Sequence, residues 1–381
     1  MRIKVVLAGE AWGEREDMFH HAFVGRSGQE LGALLAESHL APPIGITYPN
    51  ELNMIKYWES LRKDHGIALA NVFAMRPENN NIEELFTNAK DGVTTIPPLR
   101  LGGKNLYLRP EHMHHVATLW DTLNHLRPNL IIAFGNVSSW AILGKSGITK
   151  IRGSITTSDR LNGLKVLPTF HPAAVLRNYP LRPIVLADLT KAARESAYPE
   201  VRRPERWILV DPTFNEIEEW MAKPASYYAI DIESGRALYT KAEVKRLQKE
   251  APKLIGMLNE QISMIGFARN RHEAMVIQFM TRKTKDMSYW LTLADEIKAW
   301  RHVQRILRSD VPKIFQNGMY DISRLLAYGL RPRNCHHDTM LRHHSIFPEL
   351  LKGLGFLGSI YSDDISWKEM YAGGETLKKD D

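Results

Sequence analysis

The stretch that decides the fold of the first half of the chain runs from Ile3 to Asp17 and reads IKVVLAGEAWGERED. Its first six residues are mostly aliphatic and β-branched, which predicts a short buried strand. The strand leads directly into a loop that contains two glycines and several carboxylates. Ligands of open α/β sheets bind at the carboxyl ends of the strands, so the loop lies where a site is expected. Taken alone, such a loop is more often a surface turn with helix-capping acids.

The rest of the first half repeats this alternation of short apolar runs and helical patterns. Further strands are predicted at 68–73, 130–134 and 165–169, and helices at 28–39, 113–126 and 137–143. This order predicts an α/β domain with a doubly wound parallel sheet over residues 1–197. Residues 43–65 and 79–110 interrupt the pattern, and the second stretch, rich in Asn, Pro and Gly, is expected to form a long surface excursion.

Composition limits the classes of function that the chain can have. The 381 residues suffice for two domains, and the net charge of +7 favours an anionic partner such as nucleic acid. Cys335 is the only cysteine, which excludes a disulfide within the chain and a site built from several cysteines. We find neither a signal-peptide pattern nor an apolar run of transmembrane length, so we expect no membrane partner. The expected location is the cytoplasm of a bacterial cell or of a phage-infected host.

Three further segments place polar groups near the ends of predicted strands. Residues 23–31, FVGRSGQEL, open a helix with glycine and serine, and free N–H groups at a helix start suit a phosphate. Asn71 lies near the end of the second predicted strand, within NVFAMRP. Residues 171–177, HPAAVLR, follow the fourth strand. Because these strand ends meet at one edge of a parallel sheet, the segments are expected to surround a common site.

Together with the first loop, these segments resemble the motifs of the uracil-DNA glycosylase superfamily, in particular its thermophile-type branch. The resemblance implies that Phe23 stacks on an extruded base, that Asn71 reads the uracil edge, and that His171 stabilises charge on the departing base. Glu10 and Glu16 match the acidic positions that place or activate water. The implied partner is DNA that contains uracil, single-stranded DNA in particular.

The chemistry of base excision agrees with these roles. A base must leave the stack before it can be attacked, and a pocket holds it by stacking and edge hydrogen bonds. An asparagine amide complements the uracil edge, a histidine stabilises the departing anion, and a carboxylate stabilises the sugar cation or orients water. Ser27, Gly28 and Arg177 complete the predicted substrate-binding residues, the first two at the phosphate-binding helix start.

The sequence departs from the family pattern at two points, and a third position varies within the family. Members of this branch usually carry an iron–sulfur cluster, whose cysteines are absent, so no cluster and no cofactor are expected in the N-terminal domain. Trp12 stands where proline is usual. The acid nearest the sugar differs among branches, which leaves the choice between Glu10 and Glu16 open. Recognition of uracil without efficient excision is therefore an alternative.

Residues 198–206, with two prolines and mixed charges, are predicted to link the first domain to a second one over residues 207–381. Strand patterns followed by helical patterns predict a mixed sheet in that domain. The sequence DIE places Asp231 and Glu233 on the same face of a predicted strand. Two neighbouring carboxylates are costly unless a cation neutralises them.

A second acidic motif follows about ninety residues later, where NGMYD presents Asp321 at a helix start. The two motifs resemble the first two of the DnaQ-like 3′–5′ exonucleases attached to family-A DNA polymerases, phage-type enzymes included. The resemblance implies an RNase H-like domain in which Asp231, Glu233 and Asp321 bind Mg²⁺ or Mn²⁺. For Asp338, in HDTM, a metal role and a structural role are equally compatible with the sequence.

The third exonuclease motif has no faithful counterpart. Tyr371 with Glu375 is an imperfect substitute, and Asp363 or Asp364 would need favourable local geometry. Either the sequence belongs to a longer polypeptide, or a ligand has been lost, or a partner chain supplies it. The chain is thus expected to be a replication or repair protein with reduced nuclease activity. The alternative is a non-catalytic DNA-binding scaffold, or the front half of a split family-A polymerase with a polymerase domain or subunit as its partner.

Overall fold

The structure, a computed structural model, describes residues 2–363 and divides into two compact units. The first unit extends to Arg203 and includes the described residues from Gly355, whereas the second spans Pro204–Leu354. The boundary near residue 203 falls inside the stretch that the sequence predicts as a linker. The return of the chain to the first unit differs from the prediction of one continuous second domain.

The strands of the first unit are β1 (Val5–Ala11), β2 (Ile67–Phe73), β3 (Phe86–Thr87), β4 (Leu99–Leu101), β5 (Lys104–Leu108), β6 (Leu130–Phe134), β7 (Thr156–Ser158) and β8 (Leu164–Thr169). The main sheet has the order β2-β1-β6-β8-β7, in which β2, β1, β6 and β8 are parallel and β7 is antiparallel to β8. β3, β5 and β4 form a separate antiparallel sheet, so the stretch 79–110 carries regular structure of its own.

The helices of the first unit are α1 (Glu14–Phe19), α2 (Arg26–Glu37), α3 (Glu51–Ser60), α4 (Met113–Leu126), α5 (Gly135–Leu143), α6 (Ile148–Ile151), α7 (Pro172–Arg177) and α8 (Arg182–Glu195). Helices α4 and α5 contribute buried side chains to one core cluster of the sheet, and α2, α3 and α8 contribute to the other. The parallel α/β fold predicted for this half is confirmed. Helix α3 lies in the stretch 43–65, where we predict no element from the sequence.

Strand β1 shows why the sheet is covered on both faces. Val6 and Ala8 belong to one core cluster, and Val5 and Leu7 belong to the other. Successive side chains of a strand point to opposite faces, so a run without polar alternation must be buried on both sides. This run ends at Gly9, after which the chain delivers polar side chains to the carboxyl edge of the sheet.

The strands of the second unit are β9 (Trp207–Val210), β10 (Tyr228–Ser234), β11 (Ile262–Ala268), β12 (Glu273–Gln278), β13 (Lys313–Phe315) and β14 (His337–Asp338). They form one mixed sheet in the order β14-β13-β10-β11-β12-β9. β10 is parallel to β13 and antiparallel to β11. β11 and β12 pair antiparallel and form a hairpin. The acidic strand β10 therefore lies inside the sheet, where parallel and antiparallel pairing meet.

The helices of the second unit are α9 (Phe214–Ala222), α10 (Lys241–Glu250), α11 (Pro252–Glu260), α12 (Leu293–Arg308), α13 (Met319–Ala327) and α14 (Thr339–Ile346). Ile230, Ile232 and Val303 are buried in one cluster that joins β10 to α12. Strand β10 alternates strictly, with its isoleucines in this core and its carboxylates on the opposite, exposed face.

Helix α15 (Leu354–Tyr361) follows the second unit, and Ser359 at its last turn is buried against the first unit. Asp364, Tyr371 and Glu375, which the sequence analysis weighs for the third acidic motif, lie outside the described residues. Among residues 2–363, every helix is too short or too polar to cross a membrane.

Candidate functional site

A cavity of about 330 Å³ opens at the carboxyl edge of the main sheet. Parallel pairing sets Gly9 of β1 beside Asn71 of β2, and β8 leads to His171 at the start of α7. The strand ends thus gather side chains from distant parts of the sequence. The lining residues are Glu10, Ala11, Trp12, Gly13, Glu16, Phe23, Ser27, Asn71, Pro77, Asn80, Ile82, His171, Ala173 and Arg177.

Phe23 forms an aromatic wall of this cavity in an unusual backbone conformation. Its φ is 56°, and its carbonyl accepts a hydrogen bond of 2.9 Å from Trp58 Nε1. A Cβ at position 28 would lie 1.8 Å from the Phe23 carbonyl oxygen, so only glycine fits there. The Phe23 ring stacks on His171 with the ring centroids 5.9 Å apart. Gly28, predicted to bind phosphate, is therefore needed sterically for the position of Phe23.

Asn71 presents its carboxamide next to the backbone of β1. A Cβ on residue 9 would lie 2.3 Å from Asn71 Oδ1 and 2.7 Å from Phe23 Cζ, which explains the glycine at that position. Asn71 Oδ1 is buried, and none of the described residues donates a hydrogen bond to it. Buried polar atoms are nearly always paired in folded proteins, so an exception that lines a cavity makes Asn71 a candidate ligand-binding residue.

His171 caps helix α7, and the cap fixes its tautomer. Its Nδ1 accepts a hydrogen bond of 3.2 Å from the backbone N–H of Ala173. Burial, with a smaller contribution from Arg177, lowers the pKa of His171 to about 4. The ring is therefore neutral at pH 7 and carries its proton on Nε2, where it can donate a hydrogen bond without a positive charge.

The two candidate acids occupy different environments. Burial raises the pKa of Glu10 to about 7, against the opposing charge of Arg177. Glu16 is also buried, and its Oε1 accepts a hydrogen bond of 3.3 Å from the backbone N–H of Gly25. Glu16 therefore ties the first loop to the start of α2, whereas Glu10 contributes a titratable carboxyl to the cavity.

The structure gathers all the predicted residues of the first site except Gly28 around the cavity itself. Sequence reasoning missed Trp12 as a lining residue, as well as Asn80 and Ile82. The Trp12 ring lies 5.9 Å from His20, centroid to centroid. Asn80 and Ile82 come from the stretch 79–110, and no motif in that stretch distinguishes them from surface residues. For Trp12 a signal did exist, namely its replacement of the usual proline.

The second unit brings its acidic residues to one region without enclosing them. Asp231 and Glu233 are exposed on the same face of β10, and Asp321 is buried on α13. Asp321 Oδ1 accepts a hydrogen bond of 3.1 Å from the backbone N–H of Ile232. Burial, then the charge of Asp231, raises the pKa of Asp321 to about 7. The carboxylates are thus near enough to repel one another.

The donor chemistry of this acidic group suits Mg²⁺ or Mn²⁺, because all three side chains offer oxygen. Within residues 2–363, however, no three His, Cys, Asp or Glu side chains are grouped closely enough to hold a metal ion. Asp338 has both oxygens engaged, accepting from the backbone N–H groups of Gly318 at 2.7 Å and Met340 at 2.8 Å. These bonds give Asp338 a structural role in holding the NGMYD loop. The metal assignment of Asp231, Glu233 and Asp321 stays a prediction.

The first unit is thus an α/β domain with a cavity at the carboxyl edge of its sheet, lined by an aromatic ring, a carboxamide whose buried oxygen has no donor among the described residues, and a neutral imidazole. The sequence profile of the uracil DNA glycosylase superfamily matches residues 1–199, and the chain belongs to this superfamily. A type-4 uracil-DNA glycosylase of Thermotoga maritima is 33% identical over 193 residues, which are 50% of this chain and 76% of the relative. Type-4 enzymes of Sulfurisphaera tokodaii and Saccharolobus solfataricus are 29% and 27% identical, over 50% of this chain and 69% and 70% of their own lengths.

Proposed function

We propose that the first unit removes uracil from DNA by hydrolysing the N-glycosidic bond. The observation that carries this proposal is the buried, unpaired Oδ1 of Asn71 beside the neutral ring of His171. A carboxamide supplies both a donor and an acceptor, which match the N3–H and O4 edge of uracil. The names of the curated relatives agree with this substrate.

Recognition follows from the shape of the cavity and its polar groups. A flipped uracil would pack against the ring of Phe23, while Asn71 pairs with its edge. Cytosine presents an amino group and an unprotonated N3 at the same edge, so it would leave the Asn71 amide mismatched. The carboxamide thereby selects uracil over cytosine.

Catalysis would then rest on charge stabilisation at two atoms. As the glycosidic bond breaks, negative charge develops on the base, and the Nε2–H of His171 can donate a hydrogen bond to it. A neutral donor avoids protonating the base and keeps the cavity free of an extra positive charge. Ionised Glu10 would stabilise the sugar cation or hold the attacking water. Glu16, held by Gly25, keeps the first loop in place.

The alternative function, recognition of uracil without excision, is separated from this one by a single experiment. Wild-type protein is incubated with a uracil-containing oligonucleotide in EDTA, and free uracil is measured by chromatography. Release of uracil supports the proposal, because no step above requires a metal. Tight binding of the oligonucleotide without release would instead establish a uracil reader.

We propose for the second unit a metal-binding, 3′–5′ exonuclease-like role with an RNase H-like fold. The central position of β10 in a mixed sheet and its two carboxylates on one face support this role. Asp231, Glu233 and Asp321 are the side chains that would hold Mg²⁺ or Mn²⁺. When bound, the ions would supply activated water and charge neutralisation at the phosphate. The alternative is a non-catalytic DNA-binding scaffold that works with a polymerase.

The test of the second proposal separates metal binding from nuclease activity. Mn²⁺ is titrated calorimetrically into the wild type and into Asp231→Ala, and degradation of a labelled single strand is followed in parallel. We expect binding that Asp231→Ala weakens, with little digestion, because the third acidic motif has no faithful counterpart. No difference in Mn²⁺ binding between the two proteins would refute the assignment. Robust digestion that Asp231→Ala abolishes would show a complete nuclease site.

A further inference from the structure

The segment that follows the second unit is bonded to a buried lysine of the first. Lys191, on α8, is 2% exposed, and its ammonium donates to three carbonyl oxygens. One belongs to Gly153, at 2.7 Å. The others belong to Ser359 at 2.9 Å and Ser362 at 2.7 Å, both in or next to α15. Two of the three acceptors of a buried cation therefore come from a segment more than 160 residues away in the sequence.

A second buried cation is held by the same segment. Arg152, 3% exposed, pairs with Asp188, which is fully buried. The remaining arm of Arg152 donates to Ser359 Oγ at 2.7 Å. Gly153 has a φ of 72°, and a Cβ there would lie 2.9 Å from the Ser359 carbonyl. Backbone and side chain of Ser359 thus fit closely into the first unit.

This network continues to the strand that precedes the catalytic histidine. Asp188 Oδ2 accepts a hydrogen bond of 2.6 Å from Thr169 Oγ1 and another of 2.9 Å from Arg152 Nε. Thr169 is the last residue of β8, fully buried, and His171 follows two residues later. The hydroxyl of Thr169 therefore anchors the end of β8 to a buried ion pair, which in turn contacts Ser359.

We propose that α15 completes the first unit, and that Asp188 and Thr169 are positioning residues that hold His171 through the end of β8. The kinetic part of this inference rests on the proposed uracil excision, whereas the docking of α15 does not. A buried ammonium or guanidinium without acceptors is strongly unfavourable, so the first unit needs the segment to keep Lys191 and Arg152 buried. With the residues up to Arg203 alone, Lys191 would keep only the Gly153 carbonyl of its three acceptors, and Arg152 would keep Asp188 but lose Ser359 Oγ.

Docking is tested by hydrogen exchange and thermal unfolding of the full chain. Amides of residues 357–362 should be protected in the wild type, and Lys191→Met should remove that protection while peptides of the second unit keep theirs. We expect Lys191→Met to lower the Tm of the first unit by about 10 °C, because a buried charge network is broken. Ser359→Ala provides a milder variant if Lys191→Met does not fold. Lys56→Met, at an exposed lysine of α3, is the matched control, because it makes the same substitution outside the network around Lys191.

The positioning role is tested at Thr169 with two substitutions. Thr169→Val keeps the shape of the side chain and removes the hydroxyl group, whereas Thr169→Ser keeps the hydroxyl group. Thr169→Val should lower the kcat of uracil release by about 10- to 100-fold with little change in KM, because a slight displacement of His171 affects the transition state more than binding. Thr169→Ser should retain the wild-type kcat, because serine keeps the hydroxyl group. The imidazole ¹⁵N NMR signals of His171 should shift in Thr169→Val and return in Thr169→Ser, a readout that needs no turnover.

The outcomes distinguish this inference from the proposed function. If the wild type releases no uracil, the proposed function fails, while the exchange and NMR measurements still decide the inference. Rapid exchange of residues 357–362 in the wild type would overturn the docking of α15. Unchanged His171 signals in Thr169→Val would overturn the positioning role.

Discussion

Asn71 and Phe23 each adopt an arrangement that is rare in folded proteins. For Asn71 it is a buried oxygen without a donor among the described residues, and for Phe23 it is a positive φ. A buried acceptor without a donor, such as Asn71 Oδ1 within residues 2–363, typically costs about 1–3 kcal/mol. Phe23 adopts a positive φ that only its surroundings make tolerable. Phe23 is held in this conformation by Trp58 and His171, whereas Asn71 Oδ1 would gain a donor when the proposed base enters the cavity. The first unit therefore sacrifices some stability for a site prepared in advance.

The first prediction concerns the carboxamide of Asn71. Asn71→Ala should reduce kcat/KM for uracil excision by about 100-fold or more and weaken discrimination against cytosine, because the edge groups of the base lose their partner. Single-turnover release from oligonucleotides with uracil or cytosine at one position measures both effects. Asn162→Ala, at an exposed asparagine outside the cavity, should leave the rates unchanged. Full discrimination by Asn71→Ala would show that another residue reads the base.

The second prediction concerns the pH dependence that Glu10 imposes. Its pKa of about 7 means that the carboxyl group in the proposed mechanism is half ionised near pH 7, so kcat should be half-maximal there and level off about one pH unit higher. The pKa of His171 is about 4, so protonation of its ring should lower kcat only at pH values well below 7. Glu10→Gln should abolish the rise of kcat near pH 7 and most of the activity. A rise near pH 7 that persists in Glu10→Gln would assign the titration to another group.

The same pKa predicts an opposite effect on stability. Because the folded state raises the pKa of Glu10 from 4.5 to about 7, the unfolded chain loses its proton first as the pH rises, and stability falls between these values. The loss is complete above pH 7 and amounts to about 3 kcal/mol. Glu10→Gln removes this titration. The change that it causes in the free energy of unfolding, measured by urea titration, should therefore be more stabilising at pH 8 than at pH 4. An equal effect at both pH values would contradict this linkage.

At the scale of secondary-structure elements, the sequence predicts those whose own residues show a clear hydrophobic pattern. Strands β1 and β8 are continuous apolar runs, and the polar motifs follow them directly, so both the fold and most site residues could be inferred. Helix α3 does carry a helical pattern, since Met54, Tyr57, Trp58 and Leu61 are buried at the spacing i, i+3, i+4 and i+7, and the sequence-based prediction missed it. The β3-β5-β4 sheet lies in a polar stretch without clear periodicity. The docking of α15 depends on contacts with Lys191 and Arg152, and no local pattern records such distant pairing. The different environments of Glu10 and Glu16 also needed the structure, because burial and hydrogen bonds depend on the tertiary fold.

The fourth prediction tests the contact between β1 and β2. Gly9→Ala should destroy excision and destabilise the first unit, because its Cβ would lie 2.3 Å from Asn71 Oδ1 and 2.7 Å from the Phe23 ring. Uracil release and the Tm of the first unit are the measurements. Gly256→Ala is the matched control, since a Cβ at that helical position of the second unit meets nothing within 4 Å. Normal excision by Gly9→Ala would mean that the cavity adapts to the methyl group.

At the scale of the whole molecule, two units share one chain that visits the first unit twice. The sequence indicates two domains because composition and element order change near residue 200. It does not indicate the return of the chain after residue 354, and the metal assignment in the second unit rests on a resemblance and on the acidic strand β10. The property that the whole chain shares is its net charge of +7, which acts on any DNA substrate beyond the cavity.

The last prediction concerns this charge. Each phosphate neutralised on single-stranded DNA releases counterions, so affinity falls with salt by a slope of about −0.7 per contact on logarithmic axes. Four such contacts would weaken binding about 50-fold between 50 and 200 mM salt. Fluorescence anisotropy with a labelled oligonucleotide measures the slope. Arg177→Gln should reduce it by about one contact if this exposed cation binds a phosphate, whereas Asn71→Ala should leave it unchanged because the carboxamide carries no charge. Binding that is insensitive to salt would show that the basic surface does not meet DNA and that affinity comes from the base cavity alone.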